Sequence, residues 1–270
     1  MSIRHYQPHR RASDGATPGQ NFTLVASTIF AIAVQISYPL VHGDTLRIVT
    51  ILTVCSAAFV AIFHSFLTYG FSFASQFFLI TYLYAYVVEL IGVKSGWPFG
   101  TYSYDLSLGI RLYGVPFLVP LAWVMITYPI FIAVRRTAKH WGFLHGGIGM
   151  MAWDYFLDPQ MVSAGRWHWK IVGPHVPFQP EIPLSNSAGW LFSGMGLIAL
   201  LNLWYPMVER KKKSTLPIPA LFLSWALFAG FVGNLFFFHR PGVAFFSGAI
   251  FLLFLTPYFF QLRFGQPEVL

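Results

Sequence analysis

Charge is what this chain has least of. Of its 270 residues only 10% are charged, against about 25% in an ordinary globular protein, while 56% are hydrophobic and 19% aromatic. That balance points to a polytopic membrane protein. Cysteine is nearly absent: a single one, Cys55, excludes an intramolecular disulfide and a cysteine-based metal site. Also missing are a Gly-x-x-x-x-Gly-Lys phosphate loop, a dinucleotide fingerprint after a strand and a His-Glu-x-x-His motif. No lysine lies inside a late apolar segment, so a retinal Schiff base is unsupported. The net charge of +8 would suggest nucleic acid in a soluble protein. Here the basic residues sit in short loops and tails, which fits membrane orientation instead.

What is present is a series of apolar runs. A spanning helix needs about 20 mostly apolar residues, and eight segments qualify: Phe22 to Val41, Leu46 to Thr68, Ala74 to Val93, Val115 to Val134, Trp141 to Leu157, Ala188 to Val208, Ile218 to Phe238 and Val243 to Leu262. The expected fold is an all-α membrane helix bundle, residues 22–262, between an N-terminal tail (1–21) and a C-terminal tail (263–270). The polar N-terminal stretch precedes a run long enough to span and without a small-residue cleavage pattern, so it reads as a retained tail. Counting Lys and Arg by side puts eleven on one face (Arg4, Arg10, Arg11, Arg135, Arg136, Lys139, Arg210, Lys211, Lys212, Lys213, Arg263) and six on the other. By the positive-inside rule both termini are cytoplasmic, in the cell membrane, and the loops Lys94 to Gly114 and Asp158 to Ser187 lie outside.

Those two loops are dense in Trp, Tyr, Pro and Gly, and they resemble each other. Glu89 is followed eleven residues later by Gly100-Thr-Tyr-Ser-Tyr104, and Asp154 eleven residues later by Gly165-Arg-Trp-His-Trp169. Downstream, Val119-Pro-Leu121 matches Ile182-Pro-Leu184, and both returning helices end in Tyr-Pro (Tyr128-Pro129, Tyr205-Pro206). This is a tandem helix-loop-helix repeat in parallel orientation, which sets Glu89 and Asp154 at equal depth. The loops either cap a cavity or form an aromatic belt at the membrane surface.

Acids at membrane depth are costly and by default functional. Asp154 lies a full turn inside its span, and Asp158 follows on the same face. Asp158-Pro159 also reads as a helix stop, and Glu89 also reads as a surface partner of Lys94. Tyr82, Tyr86 and Glu89 at i, i+4 and i+7 share one face of the third helix, so two acids and two tyrosines are expected to converge on one pocket. His64 reads as a hydrogen-bonded structural residue, and Gln35, Asn202 and Asn234 as interhelical partners. Gly142 and Gly146 read as a close-approach pair. His168 and His175 match no metal pattern, so neither metal nor cofactor is expected. The Asp154-x-x-x-Asp158 spacing is similar to one half of a membrane prenyltransferase site, but the second aspartate cluster is absent.

Beyond these patterns, Glu89-Leu-Ile-Gly-Val93, Trp97-Pro-Phe-Gly-Thr-Tyr102, Gly114-Val-Pro116, Pro120-Leu-Ala-Trp123, Ala152-Trp-Asp-Tyr-Phe-Leu-Asp-Pro-Gln-Met-Val162 and Gly165-x-Trp167 resemble the membrane carotenoid-biosynthesis proteins that hydrate linear carotenoid ends. The resemblance covers Tyr82 to Trp190. It implies a cofactor-independent hydro-lyase acting on lycopene, gamma-carotene or bisanhydrobacterioruberin type ends, with lipophilic carotenoid, water and the bilayer as partners and other membrane enzymes of the pathway as neighbours. Hydration needs an acid, a cation-tolerant aromatic wall and a base. The expected roles are Asp154 as acid and Glu89 or Asp158 as base, with Tyr82, Tyr86, Trp97, Tyr102, Tyr104, Trp153, Trp167 and Trp169 as the substrate wall. A carotenoid-binding subunit without chemistry and a proton-coupled small-solute transporter are the competing classes.

Overall fold

The structure is a computed structural model, and it describes residues 16–138, 141–205 and 217–264. The tail residues 1–15 and 265–270, Lys139 and the cluster Arg210 to Lys213 lie outside the described residues. Among the described residues eight helices run in chain order: α1 (Pro18–Ser37), α2 (Gly43–Tyr69), α3 (Phe71–Ser95), α4 (Leu118–Thr137), α5 (Gly142–Ser163), α6 (Leu184–Trp204), α7 (Ile218–Val232) and α8 (Pro241–Phe264). Seven of them are long and apolar enough to cross a membrane, and the chain is an all-α polytopic membrane bundle. The one that falls short is α5, expected as the fifth span. Its residues include Gly142, Gly146, Gly147, Gly149, Asp154 and Asp158, and it packs against α4, α6 and α8 in the interior. A helix surrounded by protein needs less apolar surface than one facing lipid.

Local chemistry sets the boundaries. Thr17 caps α1, with its hydroxyl accepting from the Gln20 N–H at 3.2 Å while Gln20 Oε1 accepts from the Thr17 N–H at 2.9 Å, a reciprocal capping box. Between α2 and α3 the chain turns at Gly70, φ 91°, a conformation open to glycine. Asp158-Pro159 does not stop α5, which continues to Ser163. Proline removes the N–H that would reach back to the Tyr155 carbonyl. That carbonyl instead accepts from Gln179 Nε2 at 3.1 Å and Ser247 Oγ at 3.2 Å, so the helix crosses its proline with the freed acceptor satisfied. Helix α7 ends in a π-turn over Gly233–Phe237.

Close packing at α5 and α6 follows from glycine. A Cβ on Gly146 would meet Ile198 at 2.6 Å, and one on Gly147 would meet the Leu191 carbonyl at 2.6 Å. The Gly142–Gly146 pair thus belongs to a longer small-residue seam. His64 Nδ1 lies 2.6 Å from the Tyr128 hydroxyl, a structural bridge between α2 and α4. Gln35 accepts from Trp225 Nε1 at 2.6 Å across α1 and α7. Asn234 differs from expectation, because its amide donates to the Gly230 carbonyl one turn back at 2.8 Å.

The two long loops each carry short strands. In the first are β1 (Tyr102–Tyr104), β2 (Arg111–Leu112) and β3 (Val115–Pro116); in the second are β4 (Trp167–Trp169), β5 (His175–Val176) and β6 (Gln179–Pro183). Strands β2–β3 and β5–β6 form a hairpin within each loop, whereas β1 and β4 pair antiparallel across the loops. Tyr102 faces Trp169, Ser103 faces His168 and Tyr104 faces Trp167. Ser103 and His168 are equivalent positions of the two repeats, so the ribbon closes on itself about a local two-fold. This is the geometry expected of two parallel-oriented hairpins standing side by side with their loops at one end.

Candidate functional site

Under that ribbon α3, α4, α5 and α6 bring three acids together at one site. Glu89 is 3% exposed and accepts three hydrogen bonds: the Tyr102 and Tyr104 hydroxyls reach Oε2 at 2.6 and 2.7 Å, and Trp123 Nε1 reaches Oε1 at 3.0 Å. It makes no ion pair with Lys94 among the described residues. An acceptor-only carboxylate is the group that three such donors suit. Burial, and then the neighbouring Glu89 carboxylate, push both tyrosine hydroxyls well above the ordinary phenol range, so they stay protonated and keep donating. Tyr102 can lie across α3 because residue 92 is glycine. A Cβ there would stand 2.6 Å from its hydroxyl.

The second acid group is on α5. Asp154 and Asp158 are 1% and 3% exposed, one turn apart, and a single amide joins them: Asn186 Nδ2 donates to Asp154 Oδ2 at 3.0 Å and to Asp158 Oδ2 at 2.6 Å. Asp154 Oδ1 has no hydrogen-bond donor within reach among the described residues. The two acid clusters are built alike. Aligning Val119-Pro-Leu121 with Ile182-Pro-Leu184 carries Trp123 onto Asn186, and each donates to the acid of its own repeat, Glu89 or Asp154.

A cavity of about 490 Å³ lies beside these acids. At the acid end it is lined by Glu89, Tyr102, Tyr104, Trp123, Trp153, Asp158, Trp167, Trp169, Asn186 and Trp190, and it runs on between α1, α2 and α7. Trp123 and Trp190 stack with ring centres 4.5 Å apart, and Tyr104 meets Trp167 edge to face at 5.7 Å. The wall is almost wholly apolar and aromatic, with the carboxyl groups as its concentrated polar feature. Among the described residues no cluster of three or more His, Cys, Asp or Glu side chains is arranged to hold a metal ion.

Of the residues singled out from sequence, Glu89, Asp158, Tyr102, Tyr104, Trp153, Trp167 and Trp169 meet at this cavity. Asp154 stands behind Asp158 and does not line it. Tyr82, Tyr86 and Trp97 do not line it either, which corrects the expected convergence. The buried stripe of α3 is Thr81, Ala85, Glu89 and Gly92. Tyr82 and Tyr86 each follow one residue later, about 100° round the helix. Their hydroxyls instead bond the Phe117 and Leu112 carbonyls at 3.0 and 3.1 Å, tying down the first loop. Trp97 is 69% exposed, a belt position. Sequence reasoning passed over Trp123, Trp190 and Asn186, although the repeat alignment held the signal for the first and the last.

Two comparisons with known proteins bear on this site. The profile of a family described as "Carotenoid biosynthesis protein" matches residues 47–255, which is well over half of the chain. A curated protein of Haloarcula japonica, bisanhydrobacterioruberin hydratase, is 32% identical over 138 residues, covering 48% of this chain and 45% of the relative. The chain therefore matches less than half the length of that relative. No solved structure matches.

Proposed function

The chain belongs to the carotenoid biosynthesis protein family, and from that premise we propose that it is a carotenoid hydratase. The reaction adds water across the terminal 1,2 double bond of a linear carotenoid end, of lycopene, gamma-carotene or bisanhydrobacterioruberin type, and gives a tertiary alcohol. The observation that carries this reading is the placing of Glu89 and Asp158 on the wall of one apolar, aromatic cavity in the membrane. The similar hydratase of Haloarcula japonica supports it.

The chemistry follows from the two acid clusters. Two carboxyl groups held to one amide do not both carry charge at short range, so the Asp154–Asp158 pair retains a proton. Asp158, facing the cavity, gives that proton to the less substituted carbon of the double bond, and the π electrons form the new C–H bond. This reassigns the donor from Asp154, expected from sequence, to its cavity-facing neighbour, with Asp154 as the carboxyl behind it. The tertiary cation left behind is stabilised by the faces of Tyr104, Trp123, Trp167 and Trp169 and by the Glu89 carboxylate. Water bonds to the cation through oxygen and loses a proton to Glu89. The cycle closes when that proton returns to the aspartate pair, so no net acid is consumed.

The distribution of Lys and Arg supports cytoplasmic termini; with that orientation the acids and the ribbon lie near the outer surface, where water is at hand. Expression in a host that accumulates a linear carotenoid, followed by mass analysis, tests the reading. A gain of one water per reacted end is expected; unchanged pigment would reject hydration and favour binding or transport.

A further inference from the structure

Among the described residues, the exposed part of the cavity wall lies along one seam. Its most exposed lining residues are Ile36 and Leu40 at the end of α1, and Phe228 and Phe237 on α7 and its π-turn, at 53%, 61%, 58% and 47%. Helix α1 packs chiefly along α2. Two side-chain contacts bridge the seam to α7: the Gln35–Trp225 hydrogen bond at 2.6 Å and the edge contact of Tyr38 with Phe238, ring centres 6.3 Å apart. Both flanking segments belong to candidate membrane spans, so whatever emerges there emerges into lipid. The π-turn Gly233–Phe237 closes the end of α7. Here it sits on the rim.

We propose that the α1–α7 seam is a lateral portal, and that it binds the long polyene stem of the substrate while the reacting end lies at the acids, with Gln35 and Trp225 as the latch across it. The naming of the occupant rests on the carotenoid-hydratase reading. A linear carotenoid is a rigid, fully apolar rod far longer than a cavity of about 490 Å³ can enclose. Its stem must leave the protein somewhere, and the seam is where the cavity reaches lipid without crossing a polar layer. An indole and an amide that hydrogen-bond each other in the closed seam lose that bond when the rod passes between them, and the contacts of the stem with the rim side chains offset the loss.

The test uses the full chain in membranes. A photoreactive benzoyl-phenylalanine replaces Phe228 or Phe237 at the rim, or Leu253, which is 74% exposed on α8 and away from the cavity. With linear carotenoid present, illumination is expected to attach pigment at the rim positions at least tenfold more than at Leu253; equal attachment at all three, or none at the rim, overturns the portal. In parallel, Ile36→Cys with Phe228→Cys in a Cys55→Ser background is bridged by a reductant-cleavable bis-maleimide. Hydration is expected to fall at least tenfold and to recover on cleavage, and unchanged turnover in the bridged protein overturns the proposal. Pigment attachment at the rim in a protein that never hydrates the pigment would keep the portal and reject the hydratase reading, so the two fail separately.

Discussion

At the scale of single residues the site is a set of donors aimed at acids. Asp158→Asn removes the proposed proton donor and is expected to lower hydration by about 10²–10⁴-fold, the usual range for a positioned acid, with the protein still folded in detergent. Asp154→Asn, one shell further from the cavity, is expected to cost less; measured pigment conversion in the two variants decides whether Asp158 or Asp154 gives the proton. Asn186→Leu removes the one amide that both carboxyls share. Two buried acceptors then lose their donor at about 1–3 kcal/mol each, and hydration is expected to drop at least tenfold. Gly92→Ala puts a methyl 2.6 Å from the Tyr102 hydroxyl; it is expected to shift that ring off Glu89 and reduce turnover, and Tyr102→Phe should mimic it. Of these donors the sequence marks Tyr102 and Tyr104, as substrate wall and not as partners of an acid, and leaves Trp123 and Asn186 to the repeat alignment. Glu89 and the aspartates stand out because charge in an apolar run is costly, whereas a tryptophan or asparagine there is ordinary.

Elements show where local rules lose to tertiary partners. Asp158-Pro159 has the composition of a helix stop, yet α5 runs through it because Gln179 and Ser247, from β6 and α8, take up the carbonyl that the proline frees. The double variant Gln179→Ala with Ser247→Ala should therefore destabilise the protein by about 1–3 kcal/mol, read as a lower unfolding temperature, and each single variant by less, since one donor still serves the carbonyl. The repeat is legible as matched motifs, but the pairing of β1 with β4 is not, because antiparallel register depends on how the two hairpins stand. Ser103→Cys with His168→Cys, in a Cys55→Ser background, is expected to form a disulfide on mild oxidation. Directly paired residues put their Cα atoms at about 4.5–5.5 Å, inside the range a disulfide spans. A shift of one partner to Trp167 should abolish it.

For the whole molecule, the membrane class, the helical spans and the family likeness were legible in the chain, because hydropathy over about 20 residues is a local quantity that the bilayer reads directly. That Glu89 and the aspartates belong to one site was legible too, through the repeat. The character of α5 was not: it reads as the fifth span, and in the structure it is the helix too polar to count with the other seven, with Gly146 and Gly147 pressed on α6. Membrane topology is checked by cysteine labelling from each side, with Ser103→Cys in a Cys55→Ser background expected to react from outside only. What the sequence by itself determined is which residues are rare enough in an apolar chain to matter. Only the tertiary structure decided which of them share a cavity, that Asp158 and not Asp154 faces it, that Tyr82 and Tyr86 brace a loop, and that Trp123 and Asn186 serve the acids. The physical reason is geometric: a shift of one residue turns a side chain about 100° round a helix, and which side of that helix meets a cavity is set by neighbours distant in the chain.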